Sequence, residues 1–365
     1  MKKTIMITSV GSLVGKNILD SLHANRENLR IIATNSAVEA AENFRCDKTF
    51  LVPLTENEKA FIDQLMNIIN EEHPKLVIPG RDDDIVILAR LKELMPEHKE
   101  IFLTGSEKFA HIMDNKVESY KFAQQYGLPF APTIQSATQQ AKSESRELIE
   151  KFGFPLIAKP SKGNGSRGIW IVLNQEQLDN IIEKPDFALQ PLFGQRQDIQ
   201  LDTTLGIPFF WEIPEKCLHA VQVLITKDGK VGPSLGFISE MVGGKCERVD
   251  LCEDPELLET ANKFAECAAQ EGWRGTFNIQ LKKDPKYGFQ AIEMNGRFSG
   301  GTSARYYLGF DEVTWILKDW LGDDALISNP VPEGIQLVKR SLCDYGLKKS
   351  DMEILKTDKV WNTSE

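Results

Sequence analysis

In the first third of the chain, short apolar runs of β-forming residues alternate with stretches of helical spacing. The runs predict strands at Thr4–Val10, Arg30–Thr34, Thr49–Val52, Lys75–Pro79 and Ile101–Thr104. The stretches between them predict helices at Val14–Ala24, Glu58–Asn70 and Ile85–Met95. Strands that alternate with helices are typical of a parallel, doubly wound α/β sheet. We therefore predict a Rossmann-like domain at the start of the chain.

The pattern changes near residue 115, where the α/β alternation ends. From Phe187 to Ser239 the sequence predicts mostly strands with an antiparallel character, which is typical of an α+β domain. The helices predicted after residue 115 are Val117–Tyr126, Ser143–Phe152 and Glu256–Glu271. The clearest strand pairs are Pro155–Lys159 with Gly168–Leu173, and Thr276–Lys283 with Gly288–Met294.

Composition excludes several classes of protein. The 365 residues carry 43 basic and 53 acidic side chains, a net charge of −10, which argues against a nucleic-acid partner. No apolar run approaches the length of about 18 residues that a membrane span needs, so no membrane partner is expected. None of the six cysteines forms a C-x-x-C pair, which favours reduced thiols and a cytoplasmic location.

A glycine-rich turn between two predicted strands is the sharpest local feature. Gly163, Gly165 and Gly168 allow the backbone to turn tightly and to approach a ligand closely. Lys159 and Lys162 add positive charge, and consecutive backbone N–H groups in such a turn form an anion-binding concavity. The turn therefore suits a polyphosphate. A flexible hairpin with solvated basic residues is the alternative.

A second glycine segment follows the first strand and includes Gly11 and Ser12. It lacks the G-x-G-x-x-G spacing of a dinucleotide site, and Asn35 stands where such a site needs Asp or Glu. A helix that begins here would present its N-terminus to an anion such as a substrate carboxylate. A purely structural turn fits the segment equally well.

Three oxygen-bearing side chains lie on the last two predicted strands. Glu293 and Asn295 are two residues apart and point to the same face, and Gln280 lies on the neighbouring strand. Mg²⁺ prefers oxygen ligands and takes few of them from the protein. Arg297 follows closely, where it would neutralise charge on a transferring phosphoryl group.

Taken in order, these motifs resemble the ATP-grasp superfamily, specifically the carboxylate–amine ligases similar to the large subunit of carbamoyl-phosphate synthetase. The resemblance covers about residues 1–325. The segments that carry it are Asp114–Lys116, Tyr126–Thr133, Pro155–Gly168, Leu189–Gly194, Phe277–Gln280 and Ile292–Gly301.

The resemblance implies a role for each matching residue. Lys116 and Lys159 would contact ATP, and the turn from Gly163 through Gly165 and Ser166 to Gly168 would cover its terminal phosphates. Gln190 and Leu192 would meet adenine. Gln280, Glu293 and Asn295 would hold Mg²⁺ or Mn²⁺. Arg297 and Lys159 would be the catalytic residues.

Further residues are candidates for contacts with ribose, phosphate or substrate. Asp198 is the nearest carboxylate to the family's ribose-binding glutamate. Lys245 would reach phosphate or substrate, or be solvated. Arg305 would clamp a substrate carboxylate or form a surface salt bridge. The run Arg81–Asp84 ends a strand at the edge where open sheets bind ligands, although an acidic first turn of a helix is the stronger interpretation.

These observations predict three regions. Residues 1–115 form a Rossmann-like pre-ATP-grasp domain. Residues 116–325 form an ATP-grasp domain, with a small lid subdomain at about 116–190 and a larger subdomain at about 191–325. Residues 326–365 form a C-terminal extension. The resemblance leaves the oligomeric state open, a homodimer included.

The predicted function is ATP-dependent ligation of a small-molecule carboxylate to an amine through an acyl phosphate, with release of ADP and phosphate. One alternative is an ATP-binding regulatory module without catalysis, and the intact set of Gln280, Glu293, Asn295 and Arg297 argues against it. A Rossmann oxidoreductase is a second alternative, disfavoured by the missing dinucleotide fingerprint.

Overall fold

The computed structural model describes residues 2–163, 167–194, 217–242, 245–322, 326–327 and 329–363. Its strands are β1 (Lys3–Ile7), β2 (Leu29–Asn35), β3 (Lys48–Leu51), β4 (Leu76–Ile78), β5 (Ile134–Gln135), β6 (Leu156–Pro160), β7 (Trp170–Val172), β8 (Phe187–Pro191), β9 (Cys217–Ile225), β10 (Val231–Val242), β11 (Lys245–Leu251), β12 (Gly275–Asp284), β13 (Gly288–Asn295), β14 (Leu337–Lys339) and β15 (Val360–Asn362). Its α-helices are α1 (Leu13–Asp20), α2 (Glu58–Glu72), α3 (Asp82–Leu94), α4 (Glu107–Asp114), α5 (Lys116–Gln125), α6 (Ala141–Phe152), α7 (Gln175–Ile182), α8 (Pro255–Gln270), α9 (Thr302–Tyr307), α10 (Glu312–Leu321) and α11 (Lys349–Asp358). Short 3₁₀ helices span His23–Asn28, Ala41–Arg45 and Pro96–Ile101.

The first sheet has the order β15-β3-β2-β1-β4, and β1 to β4 are mutually parallel. Apolar side chains on its two faces enter two different buried clusters, as expected for a doubly wound sheet. The prediction of a final strand at Ile101–Thr104 is wrong, because only Phe102 pairs with β4, through one bridge to Val77. The preceding turns form a 3₁₀ helix instead.

A small antiparallel sheet follows, in the order β5-β8-β6-β7. Helices α6 and α7 bury their apolar stripes against it, with Leu148, Leu178 and Ile182 in the shared cluster. The glycine-rich turn connects β6 to β7, so this sheet holds both ends of the turn.

The largest sheet is antiparallel, in the order β13-β12-β9-β10-β11-β14. Helix α8 covers one face with a stripe that includes Leu257, Ala261 and Phe264, all fully buried. This cluster also takes in Ile85 of α3 and Phe109 of α4. The two halves of the molecule therefore share a hydrophobic core.

The last 30 or so residues connect the two large sheets. Strand β14 pairs with β11 at the edge of the six-stranded sheet, and β15 pairs antiparallel with β3 at the edge of the first sheet. Between them, the Arg340 guanidinium donates to Gly300 O and to Asn17 Oδ1. We call residues 337–362 the C-terminal strap.

Among the described residues, none of the helices combines the length and the apolar character that crossing a bilayer requires.

Candidate active site

The hairpin of β12 and β13 gathers polar side chains on one face. Gln280 lies opposite Glu293, and Asn278 lies opposite Asn295, so all four project to the same side. The other face of the hairpin is apolar and buried; it carries Phe277, Ile279, Leu281 and Met294. The alternation thus fixes the predicted metal-binding residues on the face turned away from α8.

A β-bulge next to Glu293 positions Lys159. The pairing passes from Gln280–Glu293 to Leu281–Ala291, which leaves Ile292 as the extra residue. The Ile292 carbonyl accepts a hydrogen bond of 3.1 Å from Lys159 Nζ. The ammonium group of β6 is thereby held beside the metal-facing residues of the hairpin.

Burial changes the acidity of Lys159, which is only 5% exposed. Loss of hydration lowers the pKa of its ammonium group to about 8; the neighbouring Lys116 charge adds to this decrease, and Glu293 opposes it. A buried amine with such a pKa in a polar pocket is typical of a functional site.

Lys116 joins three parts of the pocket. It is the first residue of α5, and the preceding Asn115 caps that helix by accepting from Val117 N and Glu118 N. Its Nζ donates to Gly163 O at 3.0 Å and lies 3.5 Å from Glu293 Oε1. The glycine turn and the hairpin carboxylate thus meet at one buried ammonium group. Lys162, by contrast, is exposed and pairs with Asp114 at 2.8 Å.

Arg297 is held by a carboxylate from the first domain. Its Nε lies 2.8 Å from Asp82 Oδ1, and its Nη2 donates to Asp82 Oδ2 at 2.9 Å. Asp82 begins α3, so the acidic first turn predicted for that helix is present. No pattern in the sequence indicates that Asp82 reaches Arg297.

Gln190 offers a free acceptor in a buried position. Its Nε2 donates to Thr133 Oγ1 at 2.8 Å, and Thr133 in turn donates to Ala131 O. These bonds fix the amide orientation, and Gln190 Oε1 has no hydrogen-bond partner among the described residues. An orphaned buried acceptor fits an amino group such as that of adenine.

The other residues predicted to contact ATP or substrate include four that the structure describes and three that it does not. Gly163 and Gly168 adopt positive φ angles of 118° and 70°, which a glycine tolerates best. Leu192 lies half-buried beyond β8, and its N–H donates to Pro155 O. Lys245 is exposed at the start of β11. Gly165, Ser166 and Asp198 lie outside the described residues.

The turn after β1 has a structural role. Ser12 caps α1 by accepting from Gly15 N at 2.9 Å, and its hydroxyl donates to Gly80 O at 2.7 Å. A Cβ on Gly11 would lie 2.4 Å from the Asn35 amide nitrogen, so a glycine is required there. These contacts favour the structural alternative over a carboxylate site.

Asp84 accepts hydrogen bonds from the segments that follow β1 and β4. Its carboxylate accepts from Thr8 Oγ1 at 2.7 Å, from Ser9 Oγ at 3.0 Å and from Gly80 N at 3.2 Å. Complete burial raises the pKa of this carboxyl to about 6, although the hydrogen bonds from Thr8 and Ser9 oppose the increase. Asp84 therefore fixes the edge of the sheet on which Asp82 stands.

Arg305 requires a correction. The surface salt bridge predicted for Arg305 is wrong, because its side chain is fully buried. Its guanidinium binds the internal carboxylate of Glu312 and does not face the pocket. Nε and Nη2 donate to Glu312 Oε1 at 3.1 and 2.5 Å. Nη1 donates to Ser299 Oγ, and Nη2 also donates to Gln222 Oε1. Arg305 thus supports the segment that follows Arg297.

We expect Glu312→Ala to destabilise the protein by about 3–5 kcal/mol, because it leaves the Arg305 cation buried without its partner. Urea unfolding measures this change. The reference is Glu259→Ala, which removes an exposed ion pair with Lys263 and should leave the stability nearly unchanged. Equal losses in the two variants would contradict the role assigned to Glu312.

Among the described residues, no three carboxylate, thiol or imidazole groups are arranged to hold a metal ion. The oxygen donors on the hairpin face are one carboxylate, Glu293, and the amides of Gln280 and Asn295. Such a set fits Mg²⁺, which completes its shell with water and phosphate oxygens. It does not fit a structural zinc site, which needs thiolate or imidazole ligands.

Comparison with known proteins agrees with this geometry. Residues 5–101 match the family described as PylC-like, N-terminal domain, and residues 115–203 match the ATP-binding domain of the carbamoyl-phosphate synthase L chain. The 2-oxoglutarate carboxylase small subunit of Hydrogenobacter thermophilus is 26% identical over 235 residues, which is 62% of this chain and 48% of that protein. The carbamoyl phosphate synthase large chain of Methanosarcina mazei is 24% identical over 198 residues, which is 50% of this chain and 18% of that protein. The chain therefore spans about half, or less, of these relatives' length.

Solved structures show the same fold. The biotin carboxylase domain of the H. thermophilus 2-oxoglutarate carboxylase has a TM-score of 0.65 at 16% identity, over 92% of this chain and 72% of that chain. The N5-carboxyaminoimidazole synthetase of Staphylococcus aureus, complexed with ADP, has a TM-score of 0.64 at 16% identity, over 91% and 80% of the two chains. The chain therefore shares the fold of these ATP-binding enzymes, and its residues 115–203 match the ATP-binding domain of the carbamoyl-phosphate synthase L chain.

Proposed function

We propose that the protein is an ADP-forming ligase that joins a small carboxylate to an amine through an acyl phosphate. The observation that carries the proposal is the meeting of Lys116, Lys159 and Glu293 beside the glycine turn. Two buried cations next to a metal-compatible carboxylate suit the terminal phosphates of ATP, which carry several negative charges.

Each group in the pocket has a task in this reaction. Gln190 Oε1 accepts from the adenine amino group, and Lys159 and Lys116 bind phosphate oxygens. The first task uses the orphaned acceptor, and the second gives the two buried ammonium groups anionic partners. Positioning of this kind carries most of the rate in phosphoryl transfer.

Gln280, Glu293 and Asn295 would hold the divalent cation, Mg²⁺ or Mn²⁺. When bound, the cation neutralises charge on the phosphate oxygens. Glu293, which lies 3.5 Å from Lys116 Nζ, would be one of the ligands of the cation, and the Lys116 ammonium group would face the nucleotide.

Arg297 would bind the carboxylate substrate and the phosphoryl group that it receives. In the structure Asp82 occupies the guanidinium with two oxygens, which is the arrangement that a bound carboxylate or phosphate adopts on arginine. The substrate carboxylate oxygen attacks the γ-phosphorus, and the bond to the β-phosphate oxygen breaks. The amine then attacks the acyl carbon, phosphate leaves with the attacking oxygen, and the amine proton passes to solvent.

The test is a screen for ADP release over paired pools of carboxylates and amines. Bicarbonate belongs in the carboxylate pool, because a similar solved structure contains it. With the active carboxylate labelled by heavy oxygen, one label should appear in the released phosphate, and hydroxylamine should trap a hydroxamate. AMP and pyrophosphate as products, or phosphate without label, would contradict the mechanism.

The same screen distinguishes the non-catalytic alternative. A regulatory module would bind ATP without substrate-dependent ADP formation over all the pools. Calorimetric binding of ATP and Mg²⁺ alongside the screen separates a module of that kind from a protein that binds no nucleotide.

The low pKa of Lys159 gives the proposed reaction a pH dependence. Phosphate binds the cationic form, so the apparent affinity for ATP should fall as pH rises through about 8. Bound phosphate raises the pKa of Lys159. At saturating ATP, the ammonium group should therefore lose its proton at a higher pH than in the free protein. Titration of ATP between pH 6.5 and 9.5 (a range of about 1.5 units on either side) measures both effects. A flat profile would contradict the assignment of Lys159 to phosphate.

A further inference from the structure

A second, strongly basic cleft lies outside the candidate active site. It is lined by Lys92, Lys99, Lys227 and Arg274 together with a single carboxylate, Glu100, and it encloses a cavity of about 210 Å³. It shares no lining residue with the pocket around Glu293. We propose that this cleft is a binding site for a small multivalent phosphorylated anion about the size of pyrophosphate.

The lining of the cleft carries an excess of positive charge, which the nearby Asp319, an acceptor for Lys227 N at 2.7 Å, offsets only in part. Lys227 pairs with Glu100 at 3.4 Å, whereas Lys92, Lys99 and Arg274 have no carboxylate partner within 4.0 Å among the described residues. Four cations against one carboxylate leave three positive charges together in a chain whose net charge is −10. Like charges at close range repel unless an anion joins them.

The cations act on one another. Burial lowers the pKa of Lys92; the charge of Glu100 opposes this decrease, and the charges of Arg274, Lys99 and Lys227 add to it. Lys92 Nζ donates to Thr104 O at 3.0 Å, so its ammonium group is held in place by the backbone. An anion in the cleft would relieve this repulsion.

Arg274 is fixed with donors to spare. Its Nη1 donates to Ala269 O at 3.0 Å and to Trp273 O at 2.6 Å at the end of α8. A Cβ on Gly229 would lie 2.5 Å from Arg274 Nη2, so the glycine in the turn after β9 leaves room for the guanidinium. Its Nε and Nη2 make no hydrogen bond among the described residues, and guanidinium donors match phosphate oxygens well.

The size and the walls of the cleft restrict its ligand. Its volume is below the about 300 Å³ at which pockets for larger organic ligands begin, and its polar side chains suit a compact anion. Lys92 and Lys99 come from the first domain region, and Lys227 and Arg274 come from the six-stranded sheet region. The bound anion would therefore bridge the two.

Isothermal titration with pyrophosphate, in magnesium-free buffer at constant ionic strength, tests the proposal on the full chain. We expect the double variant Lys99→Gln/Lys227→Gln to weaken the dissociation constant about tenfold. Glu100→Gln should strengthen it about threefold, because it removes the only carboxylate of the lining. Inorganic phosphate should bind more weakly than pyrophosphate.

The control variant is Lys142→Gln/Lys263→Gln, which removes the same two charges from exposed ion pairs elsewhere and should leave the affinity unchanged. An equal loss in this control would overturn the proposal in favour of general charge attraction. Pyrophosphate binding that is insensitive to Lys99, Lys227 and Glu100 would also overturn it. The readout needs no catalysis, so its failure is distinct from a failure of the proposed ligase activity.

Discussion

Glu293→Gln should reduce ADP formation by at least about 100-fold, because it removes the one carboxylate among the three proposed metal ligands. The fold should tolerate the change. The Glu293 side chain is 22% exposed, and its ion pair with Lys116 is long at 3.5 Å. Steady-state ADP release at saturating Mg²⁺ measures the effect, and thermal unfolding checks the fold.

Glu118→Gln is the matched control for this substitution. It makes the same chemical change on the exposed side of α5, where Glu118 pairs only with Lys121, and it should leave the rate within about twofold. Near-normal turnover in Glu293→Gln would remove the metal site from the hairpin. If the variant loses turnover only in proportion to the fraction of protein that unfolds, Glu293 has a structural role instead.

Lys159→Met should weaken ATP binding by about 10- to 100-fold, which corresponds to the loss of a charge-assisted hydrogen bond to phosphate. Methionine keeps the apolar stem in its buried position, so stability should change little. Titration of ATP by calorimetry measures the affinity. The same variant should lose the decrease in affinity near pH 8, since no ammonium group remains to titrate.

Lys162→Met provides the comparison within the same loop. Lys162 is 60% exposed and pairs with Asp114, so its removal should weaken ATP binding less than about threefold. Equal losses at the two positions would contradict the assignment of the buried lysine to the nucleotide.

The shared face of Gln280, Glu293 and Asn295 could be predicted from the sequence, because strand alternation has a period of two. Once Thr276–Lys283 and Gly288–Met294 are paired, Glu293 and Asn295 must share a face. The bulge at Ile292 could not be predicted, since it depends on how β12 and β13 align along their whole length. The contact between Lys159 and the Ile292 carbonyl depends on that bulge and was unpredictable for the same reason.

Contacts between distant segments were also beyond the sequence. Asp82 and Arg297 are far apart in the chain, and the hydrophobic core shared by α3, α4 and β13 brings them together. Arg305 was misjudged because a short helix with a basic residue looks exposed when its covering segments are unknown. Thr133, by contrast, lies in the segment Tyr126–Thr133 that carries the family resemblance. Its hydrogen bond with Gln190 could therefore have been predicted from the sequence.

The C-terminal strap also bears on the first sheet as a surface. A parallel sheet that ended at β3 would expose a row of unpaired N–H and C=O groups, which invites pairing with another chain. Strand β15 covers that row through Val360, Trp361 and Asn362, and Trp361 packs edge-on against Phe44. Strand β14, in the same segment, is paired with β11. If β15 separates from β3, it therefore stays nearby and pairs again at a high effective concentration. With β15 in place, the edge of the sheet is β15 itself, a strand of three residues, and short edge strands limit pairing with another chain.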